Sequence, residues 1–288
     1  MTTTILVTGA TGTIGSQVVK ALRAVSGVQV RAAVRGGEKS KGLEGANVTT
    51  VPFDYNDAST LTKAVEGVDK IFLVTPFSKD QVELGARLVD AAKQAGVKHI
   101  VKLSAIGCEN EPGIQLGRWH RAIEQKIEAS GIAWTFLRPN NFYENFINFY
   151  GPDAQGAIYV PWGQAAASFI AGGDVALAAK AVLTSDGHEG RAYTLTGPEP
   201  LSIAQAAKAI GEVSGRPITY VDVPEEAAKQ AMLGFQMPEW MVDAMMELHA
   251  IDKAGYAAAV TDDFTKLTGQ KPKAFPEFAR ENAARWKV

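Results

Sequence analysis

Short apolar runs alternate with amphipathic segments through the first half of the chain. Runs of strand length predict β-strands over Ile5–Thr8, Val28–Val34, Val48–Val51, Lys70–Val74, His99–Leu103 and Ala133–Leu137. Segments between them predict helices over Ser59–Glu66, Gln81–Gln94 and Gln115–Ser130. Because the strands are nearly continuous in apolar character, both faces of their sheet are expected to be buried. The alternation predicts an α/β fold with a doubly wound parallel sheet.

The pattern changes after Tyr150, where residues 151–156 are rich in Gly, Pro and Asp. Beyond this break, the predicted elements are a strand over Ala157–Val160, a helix from Asp174 to about Leu183, a strand over Tyr193–Leu195 and a mainly helical region from Ser202 onward. The expected division is a core of residues 1–150, to which residues 174–196 return, and a smaller lobe of residues 151–173 and 197–288.

A glycine-rich turn separates the first predicted strand from the first helix. Gly9, Gly12 and Gly15 recur there at three-residue spacing. Glycine lets the backbone approach a phosphate closely, and the N-terminus of a helix presents free N–H groups and a partial positive charge. Strand, turn and helix together predict a dinucleotide pyrophosphate site in a Rossmann-type sheet, with the smaller C-terminal lobe holding substrate. The alternative is a glycine turn without a ligand.

Arg35 follows the second predicted strand and lies 20 residues after Gly15. A site that prefers NAD offers Asp or Glu to the ribose hydroxyls at this point. A guanidinium instead pairs with a 2′-phosphate through two hydrogen bonds, which a carboxylate would repel. Arg35 therefore predicts NADP(H) in preference to NAD(H). The alternative is an ordinary solvated arginine.

Composition narrows the class of protein. The formal net charge is −2, and the Lys and Arg residues are scattered, which argues against nucleic-acid binding. No apolar run reaches the roughly 20 residues of a membrane helix, and no leader pattern precedes the first strand. Cys108 is the single cysteine, and no metal-ligand spacing joins the histidines His99, His120, His188 and His249. We expect a cytoplasmic protein without a metal, nucleic-acid or membrane partner.

Further motifs follow the predicted strands. They are the turn from Thr8 to Gly15, Arg35, the pair Asp54-Tyr55, the triplet Val74-Thr75-Pro76 and the run from Thr135 to Asn145. With these motifs the chain resembles the NmrA-like family, an atypical branch of the short-chain dehydrogenase/reductases. The resemblance covers essentially the whole chain. Within the family, the chain is most similar to the NAD(P)H quinone oxidoreductases and the triphenylmethane and azo dye reductases.

The resemblance implies a cofactor site at the carboxyl ends of the strands. It assigns the pyrophosphate to Gly9, Ala10, Thr11, Gly12, Thr13 and Ile14, the 2′-phosphate to Arg35, and the adenine region to Asp54 and Tyr55. It assigns the ribose and nicotinamide side to Val74, Thr75, Pro76, Pro139, Asn140, Asn141, Phe142 and Tyr143. The fold predicts the same positions, because each follows a strand at one edge of the sheet. The alternative for Pro139 to Tyr143 is a structural connector.

The usual catalytic pair of short-chain dehydrogenases, Tyr-x-x-x-Lys, is replaced here by His120-x-x-x-Glu124. This spacing places both residues on one helical face, where Glu124 is expected to raise the pKa of His120 toward neutrality. The alternative is a surface or supporting pair. Ser104 matches the family's active-site serine, and Tyr143 is a competing proton donor. The predicted catalytic residues are thus His120, Tyr143 and Ser104.

Without the usual pair, the expected acceptors are those that need no well-placed acid. A quinone can take its proton from water, and a cationic dye is neutralised by hydride itself, so the main task is positioning. The candidate stacking walls, which are otherwise ordinary packing residues, are Trp119, Phe142, Tyr143, Phe146, Phe149 and Trp162.

The predicted function is an NADPH-dependent oxidoreductase that transfers hydride to a quinone-like or extended aromatic, dye-like acceptor. We expect it to act as a monomer or homodimer. One alternative is an NADP(H)-binding redox sensor that performs no turnover. Another is a reductase of a specialised small metabolite.

Overall fold

The computed structural model describes residues 2–37, 40 and 42–287. Its main sheet has seven strands: β1 (Thr3–Val7), β2 (Val28–Val34), β3 (Val48–Pro52), β4 (Lys70–Leu73), β5 (His99–Leu103), β6 (Ala133–Pro139) and β9 (Arg191–Leu195). All neighbouring pairs are parallel, and their spatial order is β3-β2-β1-β4-β5-β6-β9. The strand order reverses between β1 and β4, which is the point where open α/β sheets bind ligands.

Helices cover both faces of this sheet. The first six are α1 (Thr13–Leu22), α2 (Ala58–Val65), α3 (Gln81–Gln94), α4 (Gln115–Glu128), the short α5 (Asn145–Asn148) and α6 (Gly172–Thr184). Helices α1 and α6 pack together over one core, while α2, α3 and α4 pack over the other. Local chemistry defines some of the ends: the Asp57 carboxylate accepts a hydrogen bond from Ser59 N at the start of α2.

A second set of elements follows residue 150. Strand β7 (Ala157–Val160) pairs in parallel with β11 (Thr219–Asp222), and β8 (Ala166–Ala167) pairs antiparallel with β10 (Leu201–Ser202). The remaining helices are α7 (Ile203–Ser214), α8 (Glu225–Gly234), α9 (Glu239–Lys253), α10 (Asp263–Thr268), α11 (Phe275–Glu281) and the 3-10 turn Ala283–Arg285. Their core is rich in aromatic residues, including Trp162, Phe169 and Phe275.

The prediction of an α/β fold with a Rossmann-type parallel sheet is confirmed. Helix α6 and strand β9 lie within residues 172–195; α6 packs on α1, and β9 pairs with β6. Among the described residues, no helix has both the length and the apolar character that crossing a membrane requires.

Candidate active site

In the glycine turn between β1 and α1, the backbone lies very close to its neighbours. Gly9 has a left-handed backbone (φ +61°), and a Cβ there would lie 3.1 Å from the Cβ of Val74. A Cβ on Gly15 would lie 2.1 Å from the Gly9 carbonyl oxygen, so the helix meets the turn only because residue 15 is glycine. Gly12 and Thr13 are exposed where α1 begins. Within this described turn, Gly12 has no side-chain cap and the first helical turn has no acidic residue, which suits a bound phosphate.

Hydrogen bonds join β1 to β4 at the point where the strand order reverses. The buried Thr8 hydroxyl accepts from Val74 N at 2.7 Å and donates to the Val74 carbonyl at 2.9 Å. The Tyr55 hydroxyl also donates to the Val74 carbonyl, at 2.7 Å, and burial raises the pKa of this phenol. The predicted contacts Tyr55 and Val74 are therefore joined directly, with Thr75 and Pro76 half-buried just beyond them.

Two predicted cofactor residues are exposed at the same edge of the sheet. Arg35 directly follows β2, and Asp54 lies two residues after β3. The Asp54 carboxylate accepts a hydrogen bond from Asn56 N at 2.9 Å, so it shapes its own turn. The exposed Arg35 guanidinium lies at the edge that carries the glycine turn, as a 2′-phosphate contact requires.

The loop after β6 was predicted to form a wall of the nicotinamide site, but two of its side chains, Asn140 and Tyr143, are buried inside the protein. The Asn140 amide is buried and donates to Ser168 Oγ and to the Ala257 carbonyl, both at 2.8 Å. Tyr143 is 1% exposed, and its hydroxyl donates to the Lys273 carbonyl at 3.2 Å. Burial also raises the pKa of Tyr143. Both side chains make hydrogen bonds in the interior. The Tyr143 hydroxyl is therefore not placed to donate a proton to a substrate.

Neighbours in this loop have other surroundings. Pro139, the last residue of β6, is buried, and the half-buried Phe142 packs against the core beneath α1 and α6. The half-buried Asn141 donates from Nδ2 to Asp252 Oδ1 at 3.2 Å. Asn141 therefore connects the loop to helix α9.

The five predicted aromatic walls other than Phe142 separate into three groups. Tyr143, Phe146 and Trp162 are at most 1% exposed and form part of the second core, which excludes them as open stacking surfaces. Phe149 lies on the surface, 76% exposed. Trp119 alone joins an aromatic cluster at the carboxyl edge of the sheet, defined here as Phe77, Trp119 and Trp240.

This aromatic cluster spans the two halves of the chain. Trp240, in the first turn of α9, lies 5.4 Å from Phe77 and 6.0 Å from Trp119 between ring centroids. Phe77 follows β4 and is 46% exposed, and Trp119 lies in the first half of α4. Close by in sequence, α8, α9 and the loop between them hold five of the six methionines: Met232, Met237, Met241, Met245 and Met246. Flexible, polarizable methionines suit a surface that accepts varied apolar shapes.

Glu124 belongs to a buried ion-pair network. Its carboxylate is fully buried, receives two hydrogen bonds from Arg138 (2.7 and 3.0 Å) and one from Arg121 at 3.1 Å. Ser104 Oγ donates to it at 2.7 Å, and Cys108 Sγ lies 3.3 Å away. Burial would raise the pKa of Glu124, but the bonds from Arg138 and Ser104 hold it below its usual range. Ser104 thus supports this carboxylate.

His120 contacts Lys102 instead of Glu124. Lys102 Nζ lies 2.8 Å from His120 Nδ1 and donates to the Leu103 carbonyl at 2.9 Å. The expectation that Glu124 raises the pKa of His120 is wrong, because burial and the Lys102 charge lower that pKa well below its ordinary value. Burial also lowers the pKa of Lys102, to about 7.

Sequence reasoning missed three side chains at this edge: Lys102, Trp240 and Asp252. Lys102 had a signal, since a lysine stands inside an apolar strand expected to be buried on both faces. Trp240 had a weaker one, the surrounding run of methionines. Asp252 had none, because its burial depends on how α9 packs.

Comparisons with known proteins agree with this architecture. The family model of the NmrA-like family matches residues 1–279. The chain is 43% identical to the NAD(P)H azoreductase of Xenophilus azovorans, over 97% of this chain and 98% of that protein.

Two solved structures align over almost the whole chain. The crystal structure of triphenylmethane reductase from Citrobacter sp., complexed with NADP(H), superposes with a TM-score of 0.85 at 31% identity, covering 97% of this chain and 99% of that one. The NADPH complex of an NADPH-dependent quinone oxidoreductase from Escherichia coli gives a TM-score of 0.86 at 28% identity, covering 96% and 99%. The chain belongs to the NmrA-like family.

Proposed function

We propose that this protein is an NADPH-dependent reductase that transfers hydride to flat aromatic acceptors of the quinone or dye class. The observation that carries the acceptor class is the aromatic cluster, in which Phe77, Trp119 and Trp240 meet at the carboxyl edge of the sheet. Aromatic rings bind flat conjugated molecules by stacking, and the nearby methionines adapt to different shapes. The related azoreductase, quinone oxidoreductase and triphenylmethane reductase support the same class.

NADP(H) is the cofactor, since the two solved relatives hold NADP(H) or NADPH and this chain has a turn that fits a dinucleotide phosphate. We assign the pyrophosphate to the turn from Gly9 to Ile14 and the 2′-phosphate to Arg35. Asp54 and Tyr55 would face the adenine side, and Val74 to Pro76 with Pro139 and Asn141 the nicotinamide side. The bound cofactor supplies a hydride; the protein supplies orientation and a site shielded from water.

The chain's own residues then have distinct tasks. The aromatic cluster would hold the acceptor, and the Glu124 network would fix α4 against β6 through Arg138. His120, on α4, is the proposed catalytic residue; Ser104 and Tyr143 are assigned supporting and packing roles. The sheet with its helices would be the cofactor lobe, and the elements around the second core the substrate lobe.

The names of the relatives favour an oxidoreductase over the alternative of a redox sensor. A cytoplasmic location and a monomeric or homodimeric state belong to the same proposal. The lone cysteine, buried and without a disulfide, is consistent with a reducing compartment.

The deciding experiment measures NADPH binding and NADPH oxidation with naphthoquinones, azo dyes and cationic triphenylmethane dyes. The control is Gly12→Glu, at an exposed position whose φ of −87° suits any residue and where a Cβ would lie 3.2 Å from the Gly9 carbonyl oxygen. Its carboxylate would lie at the N-cap of α1 and repel the pyrophosphate. We expect turnover with at least one acceptor class and its loss in the control. NADPH binding without turnover above the control would contradict the enzyme and favour the sensor.

A further inference from the structure

Lys102 occupies an unusual environment for a lysine. It lies on β5, is fully buried, and contacts the imidazole of His120 and the Leu103 carbonyl through Nζ. Burying an ammonium group costs several kcal/mol unless strong partners compensate, on the order of the penalty measured for buried ions. A neutral imidazole nitrogen and one carbonyl are modest partners. The position therefore calls for an explanation beyond packing.

The charged groups that face Lys102 are already engaged with one another. Glu124 and the Cys108 thiol favour its charged form, whereas burial, the largest effect, and Arg138 oppose it. Glu124 is held by Arg138, Arg121 and Ser104 instead of by Lys102. Among the described residues, the hydrogen-bond partners of Lys102 Nζ are thus His120 and the Leu103 carbonyl alone. The lysine acts on His120 directly.

This contact fixes the state of the imidazole. A protonated Lys102 can only donate hydrogen bonds, so in that state His120 Nδ1 is the acceptor and the ring proton lies on Nε2. His120 is half-buried on α4, next in sequence to Trp119 of the aromatic cluster. Within the described part of the chain, Nε2 has no hydrogen-bond partner. It is free to donate to a molecule held by that cluster.

We propose that Lys102 and His120 form a proton relay that protonates the reduced acceptor. This inference rests on the proposed function. His120 Nε2 gives its proton to the acceptor oxygen while Lys102 Nζ gives one to Nδ1, so the imidazole stays neutral and changes tautomer. The lysine becomes a neutral amine and regains its proton from water. A quinone thereby gains a hydride from NADPH and a proton from the relay, and leaves as a hydroquinone.

The Lys102–His120 pair lies where short-chain dehydrogenases have the Tyr-x-x-x-Lys pair. The lysine, however, comes from a different element of the fold. In Tyr-x-x-x-Lys, both members come from one helix. Here the helix supplies His120, and β5 supplies Lys102. His120 would be the catalytic residue, because it touches the acceptor, and Lys102 a positioning residue that acts through it. A pKa near 7 for Lys102 suits proton transfer close to neutral pH.

The test compares two acceptors in Lys102→Met, a substitution of similar length that suits a buried site. A naphthoquinone needs a proton, whereas a cationic triphenylmethane dye such as crystal violet is neutralised by hydride alone. We expect kcat with the naphthoquinone to fall by about 100-fold, the lower range for general acid catalysis. The kcat with crystal violet and the Kd for NADPH should stay within about twofold. Lys98→Met, at an exposed lysine just before β5, is the matched control.

Two further readouts separate the relay from a structural role. In the wild type, kcat with the naphthoquinone should fall as pH rises above 7 and Lys102 loses its proton; this limb should be absent in Lys102→Met. In the cofactor-free protein at about pH 6, where Lys102 is protonated and His120 is neutral, ¹⁵N NMR of labelled histidine should show His120 with its proton on Nε2. Its pKa should rise in Lys102→Met, because the neighbouring charge is gone.

Equal losses with both acceptors would make Lys102 a structural residue and overturn the relay, as would an unchanged rate with the naphthoquinone. A His120 that carries its proton on Nδ1 would also overturn it. If the wild type reduces neither acceptor, the proposed function fails and the relay, which rests on it, fails with it. The NMR result distinguishes the two, because it shows whether the Lys102–His120 pair exists without turnover.

Discussion

At the scale of single residues, the glycine turn depends on the absence of a Cβ at Gly15. A Cβ on Gly15 would lie 2.1 Å from the carbonyl oxygen of Gly9 and 2.6 Å from its carbonyl carbon, distances that real side chains do not reach. The first turn of α1 therefore lies against the end of β1. The free N–H groups of the helix come close to the exposed Gly12 and Thr13, where a phosphate can meet them.

Arg35→Ala tests the preference for NADP(H). Loss of a guanidinium that pairs with the 2′-phosphate should raise the Kd for NADPH by about 10- to 100-fold, since hydrogen bonds to charged groups are worth roughly 1.5–3 kcal/mol. The Kd for NADH should change by less than about twofold, because NADH has no 2′-phosphate. Fluorescence titration with both nucleotides measures this. Arg191→Ala, at an exposed arginine that begins β9 on the opposite edge of the sheet, is the control.

Equal weakening of NADPH and NADH in Arg35→Ala would contradict the 2′-phosphate assignment. It would indicate that the substitution disturbs the end of β2 instead of a specific contact. The same titrations with Arg191→Ala should leave both constants unchanged.

Residue spacing predicted the glycine turn, but it did not predict the partners of His120 and Glu124 on helix α4. The turn depends on a strand, three glycines and a helix that are contiguous in sequence. The partners of His120 and Glu124 come instead from other strands: Lys102 from β5 and Arg138 from β6. Their i, i+4 spacing gave the shared helix but not which side chains lie opposite it. Only the packed sheet decides that.

At the scale of elements, helix α9 contacts three separate parts of the molecule. Its first turn supplies Trp240 to the aromatic cluster. Its middle supplies Glu247, whose carboxylate accepts from Gln115 N at the start of α4, a favourable place for negative charge. Its last turn supplies Asp252, which contacts Asn141. One helix thus contacts the aromatic cluster, helix α4 and the loop after β6.

Trp240→Ala tests whether α9 forms the acceptor wall. Removing the indole should raise KM for bulky aromatic acceptors by about 2- to 10-fold, because stacked aromatic pairs add roughly 0.5–1.5 kcal/mol beyond the area they bury. The Kd for NADPH should stay unchanged. Steady-state kinetics with a naphthoquinone and an azo dye measure this. Tyr159→Ala, at an exposed aromatic on β7, is the matched control.

A similar rise in KM for Tyr159→Ala would show that the effect does not depend on the aromatic cluster. A rise in the Kd for NADPH in Trp240→Ala would place the indole on the cofactor side instead. Either outcome would contradict the proposal that the aromatic cluster binds the acceptor.

Hydrophobic periodicity predicted the strands of the sheet well. After residue 202 it predicted a mainly helical region but not the individual helices. Strands β1 to β6 are mainly apolar, with isolated polar residues such as Gln29 and Lys102, and appear within a residue or two of their predicted bounds. Their pairing in a parallel sheet follows from the alternation of strands and helices. Helix α8, in contrast, has no buried residue, and α9 is buried at only a few positions. Such weak periodicity cannot specify where a helix docks.

At the scale of the whole molecule, a buried carboxyl group lies where the two halves meet. Asp252 on α9 is 1% exposed; Oδ1 accepts from Asn141, and among the described residues Oδ2 has no partner. Burial raises the pKa of Asp252 to about 7. The folded protein therefore binds a proton here more tightly than the unfolded chain, and the associated stability is present at low pH and lost as pH rises from about 4 to about 7.

Asp252→Asn isolates this effect, because the amide stays neutral at every pH. The free energy of unfolding of the variant, minus that of the wild type, should become more positive between pH 4 and pH 8, by on the order of 4 kcal/mol, because the pKa of Asp252 is raised by about three units and each unit corresponds to about 1.4 kcal/mol. Chemical denaturation at several pH values measures the difference, which cancels the opposing titrations of His99 and His249. Asp243→Asn, at an exposed carboxylate paired with Lys229 on the same helix, should show a nearly flat difference. A flat difference for Asp252→Asn as well would mean that water or a counter-charge reaches Asp252, and that the contact between the two halves is more open than its burial indicates.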